Sequence, residues 1–324
     1  MSTTRQHIEK LLQSAFSALP VPVEPRSLYD PVRYVFEAGG KWLRPRLVLL
    51  SAGMCGGSVE RALPAALSVE MLHNFTLIHD DIMDRADTRR GRPCVHVRWD
   101  RATAILSGDV LFALAVKQLI NNGSGNGSIR MVDCFLDAVK TVCEGQALDM
   151  EFEKRERVTI SDYLLMIKAK TAALIRGSME LGALFAGAGH DMVQRCGVIG
   201  EHAGLAFQIQ DDLLDATADS SRFGKQIGGD IREGKKTFLS ILAMERADEN
   251  QRKWLEESLG NRNAGKEELL RIVNIYEELG VLEMAQSEIA KHYNKAVNEL
   301  GFFGQSSYSN EIKLLLDKLR VRDK

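Results

Sequence analysis

Two aspartate-rich segments contain the residues of this chain that are best suited to chemistry. The pattern Asp-Asp-x-x-Asp occurs at positions 80–84 and again at 211–215. With 20 aspartates among 324 residues, chance gives about 0.08 copies of this pattern in the chain. Two copies therefore indicate a shared function rather than an accident of composition.

The spacing of these aspartates favours a metal site. On a helix, Asp80 and Asp84 lie one turn apart on the same face, as do Asp211 and Asp215. Both segments lie in apolar helical runs, where crowded carboxylates must protonate, pair with a cation or bind a metal. Paired carboxylate oxygens suit Mg²⁺, which completes its shell with water and substrate phosphate. A solvated acidic helix face would explain one cluster as well, but it explains the pair poorly.

Basic residues on glycine-containing loops accompany both clusters. They occur in the segments 39–45, 85–93 and 224–237. Lys and Arg side chains bind phosphate through charge, and glycine leaves backbone N–H groups accessible to it. Two metal clusters and several basic loops together predict a ligand with more than one phosphate.

The composition limits the class of protein. The 42 Lys and Arg residues nearly balance 44 Asp and Glu residues, and the resulting charge of −2 argues against a nucleic-acid-binding protein. The longest apolar runs fall short of the roughly 18 residues that a membrane span needs, so no transmembrane segment is expected. Five cysteines without a Cys-x-x-Cys pair, and an amino terminus without an apolar signal, predict reduced thiols and a cytoplasmic protein.

The placement of proline indicates which elements position the aspartates. All seven prolines lie within the first 93 positions, so the rest of the chain can form long uninterrupted helices. Apolar residues there recur at three- and four-residue spacing. Breaks rich in glycine and polar residues fall at 121–127, 217–234, 260–265 and 301–310. We predict one all-α domain across 1–324 with about ten or more helices, in which 252–324 is helical but carries no motif.

The ordered motifs between positions 39 and 237 resemble those of the trans-polyprenyl diphosphate synthases, which include the farnesyl and geranylgeranyl diphosphate synthases. The matching segments are Gly40-Lys41-x-x-Arg44-Pro45, the helix from Glu70 to Asp84, Arg89-Arg90-Gly91, Lys170-Thr171 and Gln208-x-x-Asp211-Asp212-x-x-Asp215. The resemblance implies an isoprenoid-synthase-type helical bundle around a deep central cavity, usually as a homodimer. It also implies head-to-tail condensation of isopentenyl diphosphate with an allylic diphosphate, which yields a short-chain all-trans prenyl diphosphate.

The resemblance further implies roles for individual residues. Asp80 and Asp84 would bind two Mg²⁺ ions on the allylic diphosphate, and Asp211 would be the chief ligand of a third, supported by Asp215. The implied contacts to the allylic diphosphate are Arg89, Lys170, Lys225 and Lys235, and those to isopentenyl diphosphate are Lys41, Arg44, His73 and Arg90. Thr171 and Gln208, which with Lys170 form the implied catalytic set, match groups whose oxygens point at the developing carbocation. Gln146 and Asp149 lie on another helix whose orientation the sequence leaves open.

Two residues before the first cluster bear on product length. In the family, the fifth residue before the first aspartate acts as a floor for the growing chain, and here it is Phe75, followed by Thr76. A bulky floor favours a product of fifteen or twenty carbons, and the small Thr76 favours twenty. Helix geometry alone would choose Thr76, because Phe75 lies about 140° around the helix from Asp80.

Four other functions compete with this interpretation. A terpene cyclase or a head-to-head synthase would lack the second diphosphate site that includes Lys41, Arg44 and Arg90. A non-catalytic subunit of a heteromeric synthase would usually lose one aspartate cluster. A di-iron bundle would need two Glu-x-x-His motifs, and the sequence contains only the one that ends at His73.

Overall fold

The computed structural model describes residues 2–19, 21–122, 126–217 and 228–320. The first helices are Thr3–Ser17 (α1), Arg26–Glu37 (α2), Leu43–Met54 (α3), Leu63–Met83 (α4), Val95–Arg98 (α5) and Arg101–Asn122 (α6). They are followed by Asn126–Lys154 (α7), Ile160–Ile167 (α8), Ala173–Phe185 (α9) and His190–Thr217 (α10). The last are Gly229–Glu233 (α11), Phe238–Arg246 (α12), Glu249–Ser258 (α13), Lys266–Glu278 (α14), Val281–Leu300 (α15) and Ser307–Arg320 (α16).

The prediction of an all-α fold is confirmed. Apart from helices and turns, the described residues contain only one small antiparallel hairpin, formed by Thr88–Arg89 (β1) and Arg92–Pro93 (β2). A single π-helical turn, Lys168–Ala172, joins α8 to α9. The predicted break at 260–265 is confirmed as well, because α13 ends at Ser258 and α14 begins at Lys266. The predicted break at 301–310 is confirmed only up to residue 306, because a 3₁₀ turn occupies Gly301–Phe303 but α16 begins at Ser307.

Reciprocal side-chain caps fix where three of the helices begin. At α8, Thr159 accepts the backbone N–H of Asp162 (3.2 Å), and the Asp162 carboxylate accepts the N–H of Thr159 (3.0 Å). The same capping box starts α12 and α13. Each box satisfies N–H groups that a helix amino terminus would otherwise leave without partners. The cap of α8 matters for the site described below, because α8 carries a buried tyrosine one turn later.

One compact unit of the chain comprises residues 1–139, 176–197 and 303–312. In this unit α4 packs most extensively against α6 and also contacts α3. Leu49, Leu72 and Leu111 are fully buried in its core. At the α4–α6 contact, a Cβ on Gly108 would lie only 2.3 Å from Nε2 of His79, so any larger residue there would have to displace the His79 ring.

A second compact unit comprises residues 140–175, 198–302 and 313–324. Its apolar core combines residues of α8, α10, α12, α14 and α15. Ile209, Ile272 and Tyr276 are at most 1% exposed within it. The prediction of a single domain across 1–324 stays a prediction.

One helix of the described residues has the length and composition of a membrane span. It is α6, whose most apolar window within Arg101–Asn121 has a mean hydropathy of 1.6 and is 33% buried. A core helix of a globular protein satisfies the same criteria, and α6 packs against α2, α4 and α5. The expectation that the chain has no transmembrane segment stays a prediction.

Candidate active site

The first aspartate cluster lies at the carboxyl end of α4. Asp84 caps the helix, and its backbone N–H donates to the carbonyl of Asp80 at 2.8 Å. Asp80 is half-buried and Asp84 is exposed. Asp81 is only 4% exposed and accepts a hydrogen bond from Nε of Arg89 at 2.6 Å. The negative end of the helix dipole adds to the need for a cation near Asp80 and Asp84.

The hairpin after this cluster positions Arg90. Its turn consists of Arg90 and Gly91, which both have positive φ (54° and 73°), as a two-residue type I′ turn requires. The guanidinium of Arg90 donates to the carbonyl of Gly39 and lies 3.2 Å from where a Cβ on Gly40 would be. The turn therefore holds Arg90 against the loop that also carries the exposed Lys41.

Two further residues implied for isopentenyl diphosphate are in direct contact. Nη1 of Arg44 lies 3.1 Å from Nε2 of His73. Burial, and then the positive charges of Arg44 and Arg90, lower the pKa of His73 well below its ordinary value. His73 is therefore neutral, accepts from Arg44 through Nε2 and carries its proton on Nδ1. The structure brings Arg44 and His73 together as the resemblance implied.

Lys170 and Thr171 lie on the π-helical turn, which is tightly enclosed. On one side, a Cβ on Gly145 of α7 would lie 2.2 Å from the backbone nitrogen of Lys170. On the other, a Cβ on Gly204 of α10 would lie 2.5 Å from Cα of Ala172. Two glycines thus let neighbouring helices contact the backbone of this turn. π-Helical turns are rare in proteins, and those that do occur are often found at functional sites.

Asp149 determines where the Lys170 side chain lies. It is on α7, one turn after Gly145, and its Oδ2 accepts from Nζ of Lys170 at 2.5 Å. Both side chains are partly exposed, 32% for Asp149 and 26% for Lys170. The sequence left the orientation of Asp149 open, and the structure places it beside a predicted catalytic residue.

Thr171 and Gln208 also meet. The hydroxyl of Thr171 donates to Oε1 of Gln208 at 2.8 Å. Nε2 of Gln208 in turn donates to Oδ1 of Asp212 at 3.0 Å. Asp212, the middle aspartate of the second cluster, is only 5% exposed, and its Oδ2 accepts from the hydroxyl of Tyr163 at 2.6 Å. This aspartate therefore faces the protein interior, as Asp81 does in the first cluster.

The outer aspartates of the second cluster lie near a further acidic residue. Asp211 is exposed and Asp215 is half-buried. Oδ2 of Asp215 accepts the backbone N–H of Asp230 at 2.9 Å. Burial and the charge of Asp230 raise the pKa of Asp215 to about 6, and the same two causes raise the pKa of Asp212 to about 7. Negative charge is thus concentrated at the end of α10, where a cation would relieve it.

Lys235 supplies one positive charge at this end of the second unit. Its Nζ lies 3.2 Å from Oδ1 of Asp230 and 2.9 Å from Oε2 of Glu233. Although burial opposes it, the charges of these two carboxylates raise the pKa of Lys235. Lys225, the other predicted lysine of this region, lies outside the described residues.

Phe75 is on α4, and its side chain packs towards α6. Its ring centroid is 4.7 Å from that of His79 and 5.8 Å from that of Phe112 on α6. Thr76 instead donates its hydroxyl to the carbonyl of His73 in its own helix, at 2.8 Å. Phe75 is therefore the larger apolar surface of the two, and its contacts lie on the face of α4 that meets α6.

The carboxylates present fit a hard divalent cation. No group of three or more His, Cys, Asp or Glu side chains is assembled for metal binding within the residues that the structure describes. Mg²⁺ does not need such a group, because it usually takes one or two carboxylates and obtains its other ligands from water and phosphate. The raised pKa of Asp215 is the sign of a carboxylate that a bound cation would stabilise.

Sequence reasoning missed the residues that orient the predicted ones. Tyr163 and Asp230 carry no motif signal of their own, and the sequence gives no sign of what Glu70 and Asp149 contact. Glu70 is 3% exposed, and burial raises its pKa. Its backbone carbonyl accepts a hydrogen bond from Nδ2 of Asn74, one turn later in the same helix, at 2.8 Å. Buried polar residues beside a motif are the one signal that could have found them.

A model of the polyprenyl synthetase family matches residues 25–276. The chain belongs to the polyprenyl synthetase family. It is therefore a prenyltransferase, and its fold is the all-α fold of the isoprenoid synthases. The resemblance noted in the sequence is confirmed, and a synthase is favoured over a cyclase or a non-catalytic subunit.

Known members of the family resemble the chain over most of its length. The geranylgeranyl diphosphate synthase of Sulfolobus acidocaldarius is 43% identical over 276 residues, which are 84% of this chain and 83% of that protein. The crystal structure of geranylgeranyl pyrophosphate synthetase from Pyrococcus horikoshii Ot3 has a TM-score of 0.92 at 34% identity, covering 97% of this chain and 96% of that one. A Caulobacter crescentus CB15 polyprenyl synthase, solved with calcium and isoprenyl diphosphate, has a TM-score of 0.86 at 27% identity, covering 99% and 95%.

Proposed function

We propose that this polyprenyl synthetase condenses isopentenyl diphosphate head to tail with an allylic diphosphate and releases geranylgeranyl or farnesyl diphosphate. The observation that carries this proposal is the common design of the two aspartate clusters. In each, the middle aspartate, Asp81 or Asp212, is buried and bonded to a protein donor, while the outer ones lie nearer the surface at a helix end. That design gives two places at which a diphosphate could be held through a divalent metal.

We assign Mg²⁺ to the outer aspartates. Asp80 and Asp84 would hold two ions, and Asp211, supported by Asp215, would hold a third. When bound, the metal supplies positive charge that stabilises the pyrophosphate leaving group. The calcium in the Caulobacter crescentus structure supports a divalent metal in this family.

The basic residues would bind the two diphosphates. Lys170, Arg89 and Lys235 are assigned to the allylic diphosphate, together with Lys225. Arg44, His73, Arg90 and Lys41 are assigned to isopentenyl diphosphate. Charge-assisted hydrogen bonds from these groups orient both substrates, and holding the acceptor beside the allylic carbon supplies proximity.

Thr171 and Gln208 would face the allylic cation as it forms. Their oxygens supply dipoles that stabilise positive charge. Each is already engaged in a hydrogen bond, with the Thr171 hydroxyl donating to Gln208. An amide oxygen and a hydroxyl whose proton is held by Gln208 stabilise a cation without trapping it, and exclusion of water protects it from hydrolysis.

We assign product length to Phe75. Its aromatic neighbours, His79 and Phe112, hold the ring in place. An immobile ring at this position would stop chain growth at fifteen or twenty carbons. The Sulfolobus acidocaldarius and Pyrococcus horikoshii relatives, both geranylgeranyl diphosphate synthases, support twenty.

Turnover measurements test the function. The chain is incubated with Mg²⁺, isopentenyl diphosphate and farnesyl diphosphate, and pyrophosphate release and product length are measured. We expect elongation that a chelator abolishes. Asp84→Asn should lower kcat by at least about 100-fold, because a lost metal ligand costs several kcal/mol of transition-state stabilisation. Asp191→Asn, which removes an equally simple carboxylate that is 67% exposed on α10, should not. Pyrophosphate release without elongation would instead identify a cyclase, and no turnover a non-catalytic subunit.

We also propose a homodimer in the cytoplasm. Ile105, Leu106 and Ile120 of α6 are 44%, 58% and 55% exposed, and they lie within about 100° of one another around the helix. An exposed apolar face of this kind marks an interaction surface, and the second copy is the occupant that the family favours. All five cysteines lie among the described residues and none forms a disulfide bond, which supports a reducing compartment.

The mass of the particle in solution tests the dimer. Sedimentation should give twice the chain mass of 36.0 kDa. Leu106→Glu places a charge on the apolar face and should give the monomer. Leu165→Glu is the matched control, because Leu165 is also 58% exposed but lies on α8. A monomer for the unaltered chain, or equal masses for both variants, would contradict the assigned surface.

A further inference from the structure

A buried chain of hydrogen bonds connects Tyr163 to the predicted catalytic pair. Tyr163 donates to Oδ2 of Asp212 (2.6 Å), Gln208 donates to Oδ1 of Asp212 (3.0 Å), and Thr171 donates to Oε1 of Gln208 (2.8 Å). The backbone N–H of Phe238 also donates to Oδ2 of Asp212, at 3.3 Å. The four side chains come from α8, the π-helical turn and α10, so their contacts exist only in the folded chain.

When the Asp212 carboxyl is ionised, the chemistry of each group fixes the direction of every bond. Oδ2 of Asp212 is occupied by two donors, which leaves Oδ1 to accept from Gln208. The Gln208 amide must therefore turn its NH₂ to Asp212 and its oxygen to Thr171. With the amide oxygen facing it, the Thr171 hydroxyl must use its proton on Gln208. Thr171 consequently presents oxygen lone pairs, and no proton, in any other direction.

We propose that Tyr163 is a positioning residue: it holds the Asp212 carboxylate in the place where Oδ1 orients the Gln208 amide and, through that amide, the Thr171 hydroxyl. The role rests on the proposed condensation, in which Thr171 and Gln208 face a carbocation. An O–H dipole turned towards that cation would oppose its formation, whereas lone pairs favour it. Tyr163 is 2% exposed and belongs to the apolar core of the second unit, so it acts on the reaction only through these partners.

The substitution Asp212→Asn reverses the direction of the hydrogen bonds from residue 212 to Thr171 and leaves the size and shape of the side chain nearly unchanged. The Asn oxygen keeps Tyr163 and Phe238, while its NH₂ now faces Gln208. The Gln208 amide must then flip, and its NH₂ must donate to Thr171. The Thr171 hydroxyl, now an acceptor on that side, turns its proton elsewhere. The substitution also removes one negative charge beside Asp211. We expect kcat to fall by about 100-fold, with KM for isopentenyl diphosphate within about twofold, because no group assigned to that substrate is altered.

A double-mutant cycle tests the role of Tyr163 itself. Tyr163→Phe removes only the hydroxyl and should lower kcat about tenfold, with KM for isopentenyl diphosphate unchanged. Thr171→Val removes the group through which Tyr163 acts. In that background Tyr163→Phe should change kcat by less than about twofold, because coupled residues are not additive. Tyr276→Phe is the matched control, since Tyr276 is 1% exposed in the same core but outside this hydrogen-bonded chain.

The outcomes separate this role from the proposed function. If Tyr163→Phe lowers kcat by the same factor with and without Thr171, or no more than Tyr276→Phe does, Tyr163 is only structural and the inference is wrong. A Tyr163→Phe protein that loses melting temperature but keeps kcat leads to the same conclusion. If the unaltered chain does not condense the two diphosphates, the proposed function fails first, and the role of Tyr163 fails with it.

Discussion

Of all the substitutions considered, Gly145→Ala on α7 is the one whose effect on the reaction rate follows most directly from the structure. A Cβ there would lie 2.2 Å from the nitrogen of Lys170 and 2.6 Å from its Cα, whereas ordinary contact begins near 3.4 Å. The π-helical turn would have to retreat by about 1.2 Å (3.4 − 2.2), and Gly204 contacts its other side. A misplacement of about 1 Å in catalytic groups costs about 100-fold in rate. We therefore expect Gly145→Ala to lower kcat about 100-fold.

The effect of Gly145→Ala on stability should be smaller than its effect on rate. Overpacking costs about 1–3 kcal/mol, but alanine is favoured over glycine within a helix by about 1 kcal/mol. Steady-state kinetics and urea denaturation measure the two effects on one preparation. Gly127→Ala is the control in the same helix, because its nearest neighbour, Cε of Met131, is 3.8 Å from the new Cβ. A Gly145→Ala enzyme with kcat within about threefold of the control would refute the reasoning.

Two other predictions follow from named contacts. Phe75→Ala removes the ring packed on His79 and Phe112 and should shift products to longer chains on chromatography, and unchanged length would reject Phe75 as the floor. Burial lowers the pKa values of His202 and His292, whose Nδ1 atoms lie 2.9 Å apart. The unfolded chain therefore takes up protons near pH 6.5 that the folded chain does not. The free energy of unfolding should fall between pH 7 and pH 5, by at most about 1.4 kcal/mol per pH unit for each histidine. Replacing both histidines with glutamine should flatten this slope in urea titrations, and an equal slope would contradict the assignment.

The helical fold could be predicted because it depends on local patterns. Proline confined to the first 93 positions and apolar spacing of three and four residues are both visible in the sequence. The breaks after Ser258 and Leu300 were predicted from glycine and polar residues. Such signals act within one or two turns of helix, so they need no knowledge of tertiary contacts.

The sequence does not fully predict which aspartate of each cluster is buried and which ones lie near the surface. Three carboxylates at this spacing are chemically identical, and the buried one is defined by a distant donor. For Asp81 that donor is Arg89 on the hairpin, and for Asp212 it is Tyr163 on α8. Asp149 can likewise be predicted to lie on a helix, but its contact with Lys170 cannot, because the two residues lie on different elements. Contacts between elements decide these roles, and spacing does not encode them.

The π-helical turn at Lys168–Ala172 interrupts the regular α-helical winding between α8 and α9. This turn accommodates one residue more than an α-helix needs. Deleting one residue of the turn would restore ordinary α-helical winding and so remove the widened backbone turn that carries Lys170 and Thr171. Length at this point of the chain is therefore constrained more tightly than residue type, and even a single-codon deletion here should be more harmful than most substitutions.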